Sequence, residues 1–118
     1  MYELERLRVR AVAKYIPISA QKVRLVVDQI RGMRAQDALE VLRFMPQRAA
    51  KPVAKVLASA IANAENNEGL DPELLYIHRI FVDEGPRRRW RRFGARGRFK
   101  PIIRRSSHIT VELEERPE

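Results

Sequence analysis

Residues 74–114 read LLYIHRIFVDEGPRRRWRRFGARGRFKPIIRRSSHITVELE, and the fold depends on how that stretch is parsed. Two runs rich in β-branched and aromatic residues, 74–82 and 102–114, enclose a basic segment with Gly94 and Gly97 near its middle. Such runs suit a pleated, half-buried strand, and the glycines suit a turn between them. The stretch therefore predicts one long antiparallel hairpin whose strand bases belong to the domain and whose far end leaves it. With residues 84–102 as two arms of about nine residues at about 3.3 Å each, the projection reaches about 30 Å.

The segment between the β runs carries the charge. Residues 86–105 hold ten cations and no acid: Arg87, Arg88, Arg89, Arg91, Arg92, Arg96, Arg98, Lys100, Arg104 and Arg105. The whole chain has a net charge of +9, so the remaining 98 residues, with 14 basic and 15 acidic groups, are close to neutral. Desolvating even one unpaired guanidinium costs several kcal/mol, so this run lies in water or against a polyanion. Arginine suits flat, bidentate contact with phosphate, and Trp90, Phe93 and Phe99 offer faces for bases or riboses. Together these features mark a nucleic-acid-binding segment. A solvated basic tail without a fixed partner is the plainer alternative, and the β-branched flanks weigh against it.

The chain has 118 residues, 45% of them hydrophobic, which suffices for one modest core, so residues 1–118 are expected to form a single RNA-binding domain with 84–102 as its extended basic hairpin. It has no cysteine, which excludes disulfides and thiolate metal sites and fits a reducing compartment, the cytoplasm by default. The first residues lack the apolar run of a signal peptide, and no window approaches the length of a membrane span. A strongly basic isoelectric point, near 10.8, favours a polyanionic partner.

Upstream, residues 7–18 alternate loosely, with Val9, Ala11, Ala13 and Tyr15 on one side and Arg8, Arg10, Val12, Lys14 and Ile16 on the other, which predicts a strand with one basic face. Ser19 is a suitable N-cap for a helix reaching residue 31, with Val23, Val26, Val27 and Ile30 as its apolar stripe and Gly32 as its stop. A second helix is expected over 35–45, burying Ala35, Ala38, Leu39 and Leu42 and ended by Pro46. A third runs to Asn66 on Val53, Val56, Leu57, Ala60, Ile61 and Ala64, its start left open between Pro46 and Pro52. Asn63, Asn66 and Asn67 near its end read either as caps or as hydrogen-bonding groups for a ribose or base edge. The expected class is α+β, three helices packed on a small antiparallel sheet with a long protruding β-hairpin.

No catalytic constellation appears. His78 and His108 both fall in predicted strands without the spacing of a metal site, and Gly94-Ala95-Arg96-Gly97 matches neither a Walker loop nor a dinucleotide fingerprint. Both histidines read as structural strand residues. An enzyme is not expected, nor is a cofactor or metal.

Ile18-Ser19, Lys22-Val23-Arg24, Val26-Val27, Ile30-Arg31-Gly32, Ala62-Asn63-Ala64, Asn66-Asn67, Asp83-Glu84-Gly85-Pro86, Gly97-Arg98 and Ser107-His108-Ile109-Thr110-Val111 follow one another along nearly the whole chain. In order and spacing they resemble the family of bacterial large-subunit ribosomal proteins numbered twenty-two. The resemblance implies an α+β domain on large-subunit rRNA near the peptide exit, beside neighbouring large-subunit ribosomal proteins, with a hairpin lining the exit tunnel. It implies no enzymatic activity and no membrane partner. Carried over by position, it marks Ser19, Lys22, Arg24, Arg88, Arg89, Arg91, Arg98, Arg104 and Arg105 as RNA-facing. It makes residues Arg88, Arg89, Trp90, Arg91, Arg92 and Phe93 the tunnel tip that meets the nascent peptide. The chain departs from the family pattern at Phe93 and Gly94, where a proline and a basic residue usually precede the position of Ala95, at Trp90 and Phe99, which are bulkier than expected, and at Pro101, which cannot donate to a hairpin ladder.

Two function classes follow. The first is a structural rRNA-binding component of the ribosome. The second is a free-standing cationic protein binding nucleic acid or anionic membrane without specificity; a nuclease is a distant third. A specific RNA clamp requires a rigid hairpin on a folded base, whereas a polycation works disordered.

Overall fold

The computed structural model describes residues 7–86, 88–93 and 99–117, with backbone alone for 88–93 and 99–104. It contains strand β1 (Arg8–Ile16), helices α1 (Ala20–Ile30), α2 (Ala35–Phe44) and α3 (Ala50–Glu68), a 3-10 turn (Pro72–Leu74), and strands β2 (Leu75–Glu84), β3 (Arg88–Phe93), β4 (Phe99–Arg104) and β5 (Ser107–Glu115). One sheet is antiparallel in the order β1-β5-β2, and β3 and β4 form a separate antiparallel pair. α3 packs on β1 and β5, α1 on β2, and α2 on α3, so the helices cover one face of the three-stranded sheet. This is the α+β architecture expected from the sequence.

The core is built from stripes that periodicity reveals. Val23, Val26, Val27 and Ile30 of α1, Ala35, Ala38 and Leu42 of α2, and Val53, Leu57, Ala60 and Ala64 of α3 are buried against Ile80, Ile109, Val111 and Leu113 of the sheet. Alanines in α2 and α3 let these helices approach closely. Ser19 caps α1, its Oγ accepting the Lys22 amide at 3.4 Å. α3 starts at Ala50, which puts Pro52 in its first turn, where a missing N–H costs nothing. The cap at its other end is Gly69, in the left-handed conformation at φ 68°, rather than any of the asparagines.

Two bulges decide which side chains face inward. In β2, Ile77 pairs with Leu113 but Arg79 with Glu112, so His78 is an extra residue. The inward phase thereby shifts from Leu75 and Ile77 to Ile80 and Val82, keeping all four buried. In β1, the register shifts between Ala13 and Ile16. Simple alternation puts Tyr15 on the Val9 face; the structure instead turns Tyr15 outward, 62% exposed with φ 59°, and brings Ile16 against the core. A tyrosine in left-handed backbone is strained. His108 stabilises it, accepting the Tyr15 amide on Nδ1 at 3.0 Å while the two rings meet edge-on, 4.9 Å apart.

The sequence suggests one continuous strand over 102–114, but the run is divided at Arg105 and Ser106 into β4 and β5. The molecule measures 71 × 28 × 24 Å with a radius of gyration of 17.9 Å, against about 13 Å for a compact 100-residue domain. The elongation accords with an extended ribbon.

Candidate nucleic-acid interface

α1 lies beside β2, which is an outer strand of its sheet and exposes backbone groups along its free edge. Those groups are taken up one after another. The Ile77 amide donates to the Met33 carbonyl at 3.0 Å, the Arg31 guanidinium donates to the Ile80 carbonyl, and Arg24 donates to the Val82 carbonyl from Nη2 at 2.8 Å and Nε at 3.3 Å. Arg31 also pairs with Asp28 at 2.9 Å. Covering an edge in this way prevents it from recruiting another strand. Arg24 is thus engaged in holding the helix to the sheet, a role that residue type and position in the sequence do not reveal.

Lys22 and Arg105, both expected at the RNA surface, come together at the other end of α1. They line a groove of about 730 Å³ with Ser19, Leu25, Ile18 and Arg48. Arg48 lies in the α2–α3 connection and carries no sequence signal of its place here, because nothing local marks one exposed arginine as a neighbour of residues over twenty positions away. The side chains of Lys22, Arg48 and Arg105 have no hydrogen-bond or ion-pair partner among the described residues, and the lining holds no carboxylate. A smaller, adjoining recess shares Ser19 and Arg105 but includes Glu84, which makes it less suited to an anion.

The ribbon is rooted beside this groove. The Gly85 amide donates to the Ser106 carbonyl at 2.8 Å, and Ser106 Oγ donates to the Pro86 carbonyl at 3.1 Å. Glycine suits the close approach there: a Cβ would collide with Ser106 Oγ unless that hydroxyl shifted, and would come within 3.2 Å of His108 Cε1. Beyond the root, the β3–β4 register runs unbroken from Arg88 opposite Arg104 to Phe93 opposite Phe99, passing through Arg91 opposite Pro101. Pro101 therefore does not interrupt the pairing. Opposed positions hold Arg88 with Arg104 and Arg92 with Lys100, and like charges directly opposite weaken a ribbon unless an anion intervenes. Arg87, Arg96 and Arg98 lie outside the described residues, as does the Gly94–Gly97 segment; Arg89 and Trp90 fall within β3.

The sheet face away from the helices is a charged surface centred on Glu114. Arg8 reaches its carboxylate at 3.3 Å, Arg116 at 2.9 Å and His78 at 3.4 Å, while Arg10 pairs with Glu112 at 3.7 Å. Burial pushes the Glu114 carboxyl up, but hydrogen bonds from Arg116 and Arg8 and the neighbouring charges of His78 and Arg116 together outweigh it, holding the group below the ordinary glutamate value. His78 and His108 both have structural partners. Asn63 and Asn67 line a polar notch with Arg8 and Arg10 and have no side-chain hydrogen bond among the described residues. Among the described residues there is no acidic or histidine cluster fit to hold a metal, and no helix is long and apolar enough to cross a membrane.

The family model described as ribosomal protein L22p/L17e matches residues 11–114. The large ribosomal subunit protein uL22 of Thermomicrobium roseum is 52% identical over 113 residues, covering 95% of this chain and 95% of that relative. The matched region takes in the strand bulges, the helical core, the cationic groove and the whole basic ribbon, and the chain belongs to the ribosomal protein L22p/L17e family.

Proposed function

We propose that this chain is a structural, non-catalytic component of the large ribosomal subunit in the cytoplasm, binding large-subunit rRNA and supporting subunit assembly. Residues 1–118 act as one RNA-binding domain: the body anchors through the groove around Lys22, Arg48 and Arg105, and the ribbon over 84–102 runs inward to line the peptide exit tunnel. Neighbouring large-subunit proteins flank the body, and the nascent peptide passes residues Arg88 to Phe93.

The observation that carries this reading is the basic β3–β4 ribbon, in which two of the six opposed pairs, Arg88 with Arg104 and Arg92 with Lys100, set cation against cation. Such a ribbon is poorly designed to stand alone in water and well suited to a surface of phosphates. Its root is fixed by Gly85, Pro86 and Ser106 to a packed body, which favours a specific clamp over a disordered polycation. Sedimentation of untagged protein in cell extract tests it: co-migration with the large subunit at moderate salt is expected, and a free or chromosome-bound pool counts against it.

A further inference from the structure

We infer that the groove between α1, the α2–α3 connection and the β4–β5 junction takes a single unpaired nucleotide of RNA, its phosphate on Lys22, Arg48 and Arg105 and its base against Ile18 and Leu25. The inference rests on the RNA-binding reading above and goes further by naming what this part of the surface recognises.

Three observations converge. The cations come from three separate elements, yet they line one recess and lack protein partners among the described residues. Elsewhere on the body the comparable arginines are occupied: Arg24 and Arg31 hold carbonyls of β2, and Arg8, Arg10 and Arg116 hold Glu112 or Glu114. The groove therefore combines cations that have no ion-pair partner among the described residues with a lining free of carboxylate. Its other wall is apolar. Leu25 is 63% exposed on a helix whose remaining aliphatic residues are buried, and Ile18 is only partly covered. A volume of about 730 Å³ lies within the range of about 300–1,000 Å³ that encloses small organic ligands. An inorganic anion needs the charges but not the apolar wall, and a base-paired helix presents phosphates but keeps its bases stacked inside. An unpaired nucleotide uses both, since unstacked bases are what proteins read in single-stranded RNA.

The test uses the full chain with three probes: inorganic phosphate, AMP, and an RNA hexanucleotide carrying one central 2-aminopurine. AMP is expected to shift the Ile18 and Leu25 methyl resonances, whereas inorganic phosphate leaves them unmoved. With the hexanucleotide, 2-aminopurine emission rises on binding as the base leaves its stack. Lys22→Gln and Arg48→Gln each lower the salt slope by about one. Leu25→Ser, at an exposed position that leaves melting unchanged, weakens binding about fivefold with the slope intact and abolishes the emission rise. If phosphate and AMP bind alike and Leu25→Ser has no effect, the groove is an anion site and the nucleotide inference is overturned, while the RNA-binding reading stands. If none of the three variants alters binding, RNA contacts another surface and the inference again fails. If the unmutated chain neither binds the hexanucleotide nor co-sediments with large subunits, both readings fall together.

Discussion

Arg24 on helix α1 donates from Nη2 to the carbonyl of Val82 at 2.8 Å, tying the helix to the free edge of β2 close to where the ribbon leaves the body. A residue that family position marks as RNA-facing thus has a demonstrable structural task. Replacing it alters folding as well as any binding, and the two effects separate by measurement. Arg24→Ala is expected to destabilise the domain by about 1–2 kcal/mol, the scale of a charge-assisted hydrogen bond, seen as a lower urea midpoint at unchanged slope. Unaltered stability with weakened RNA binding is the opposite outcome and assigns Arg24 to RNA alone.

Gly85 gives a sharper test of the ribbon's root. Gly85→Ala forces a Cβ into Ser106 Oγ, and overpacking of this kind costs about 1–3 kcal/mol. The loss appears as faster hydrogen exchange of the Gly85 amide, which is bonded to the Ser106 carbonyl. Removing the obstructing hydroxyl with Ser106→Ala in the same chain is expected to restore part of the loss, giving a favourable coupling in the double-mutant cycle. Simple additivity of the two substitutions contradicts this account of why glycine occupies the position.

Glu114 makes stability depend on acid. Its folded-state value lies below the ordinary glutamate value of about 4.3, so the group binds fewer protons folded than unfolded. Its contribution is fully present above about pH 4.3 and is lost as pH falls through the folded-state value. Glu114→Gln removes that dependence. Chemical denaturation at pH 7 and at pH 3 is expected to give a smaller difference in the variant than in the unmutated protein.

The body is expected to fold without the ribbon. Its core draws on the three helices and on β1, β2 and β5, so replacing residues 86–105 by Asn-Gly closes a two-residue turn on the Gly85–Ser106 pair. Cooperative melting is expected to survive, and its loss shows that the ribbon is part of the folding unit. The same deletion tests the electrostatics. With six to eight phosphate contacts, log K for RNA falls by about four to seven units per decade of salt in the full chain, and the deletion flattens that slope. A slope equally steep in both proteins moves the binding charge to the body.

Base and tip are expected to separate in function. Trp90→Ala with Phe93→Ala is expected to leave assembly into large subunits intact while altering the stalling of particular nascent peptides or the action of tunnel-binding inhibitors. Lys22→Glu with Arg48→Glu is expected to impair assembly, and avoids the structural role of Arg24. Gradient profiles of subunits from strains carrying each pair decide the matter. Normal assembly with the Lys22 and Arg48 pair altered, and failed assembly with the tip pair altered, makes the ribbon the anchor.

The helices, the basic run and the lack of catalytic motifs are legible in the chain before folding, because each is written in local periodicity or composition. Val23, Val26, Val27 and Ile30 recur at helical spacing, Ser19 and Gly32 bracket them, and ten cations in one run cannot be buried. Long-range contacts settle what local pattern cannot encode. Alternation misassigned Tyr15 because one extra residue in β1, opposed to His108 from the far end of the chain, reverses the phase. Gly69 rather than an asparagine caps α3, since the left-handed residue is needed after Glu68, two positions beyond Asn67. Arg24 and Arg31 resemble surface cations until β2 brings Val82 and Ile80 carbonyls alongside α1. Arg48 joins Lys22 and Arg105 only because α2 and α3 turn back on the end of α1. In each case the deciding contact spans a long stretch of chain, and its energy exists only once the fold has brought the partners within hydrogen-bonding or Coulombic reach.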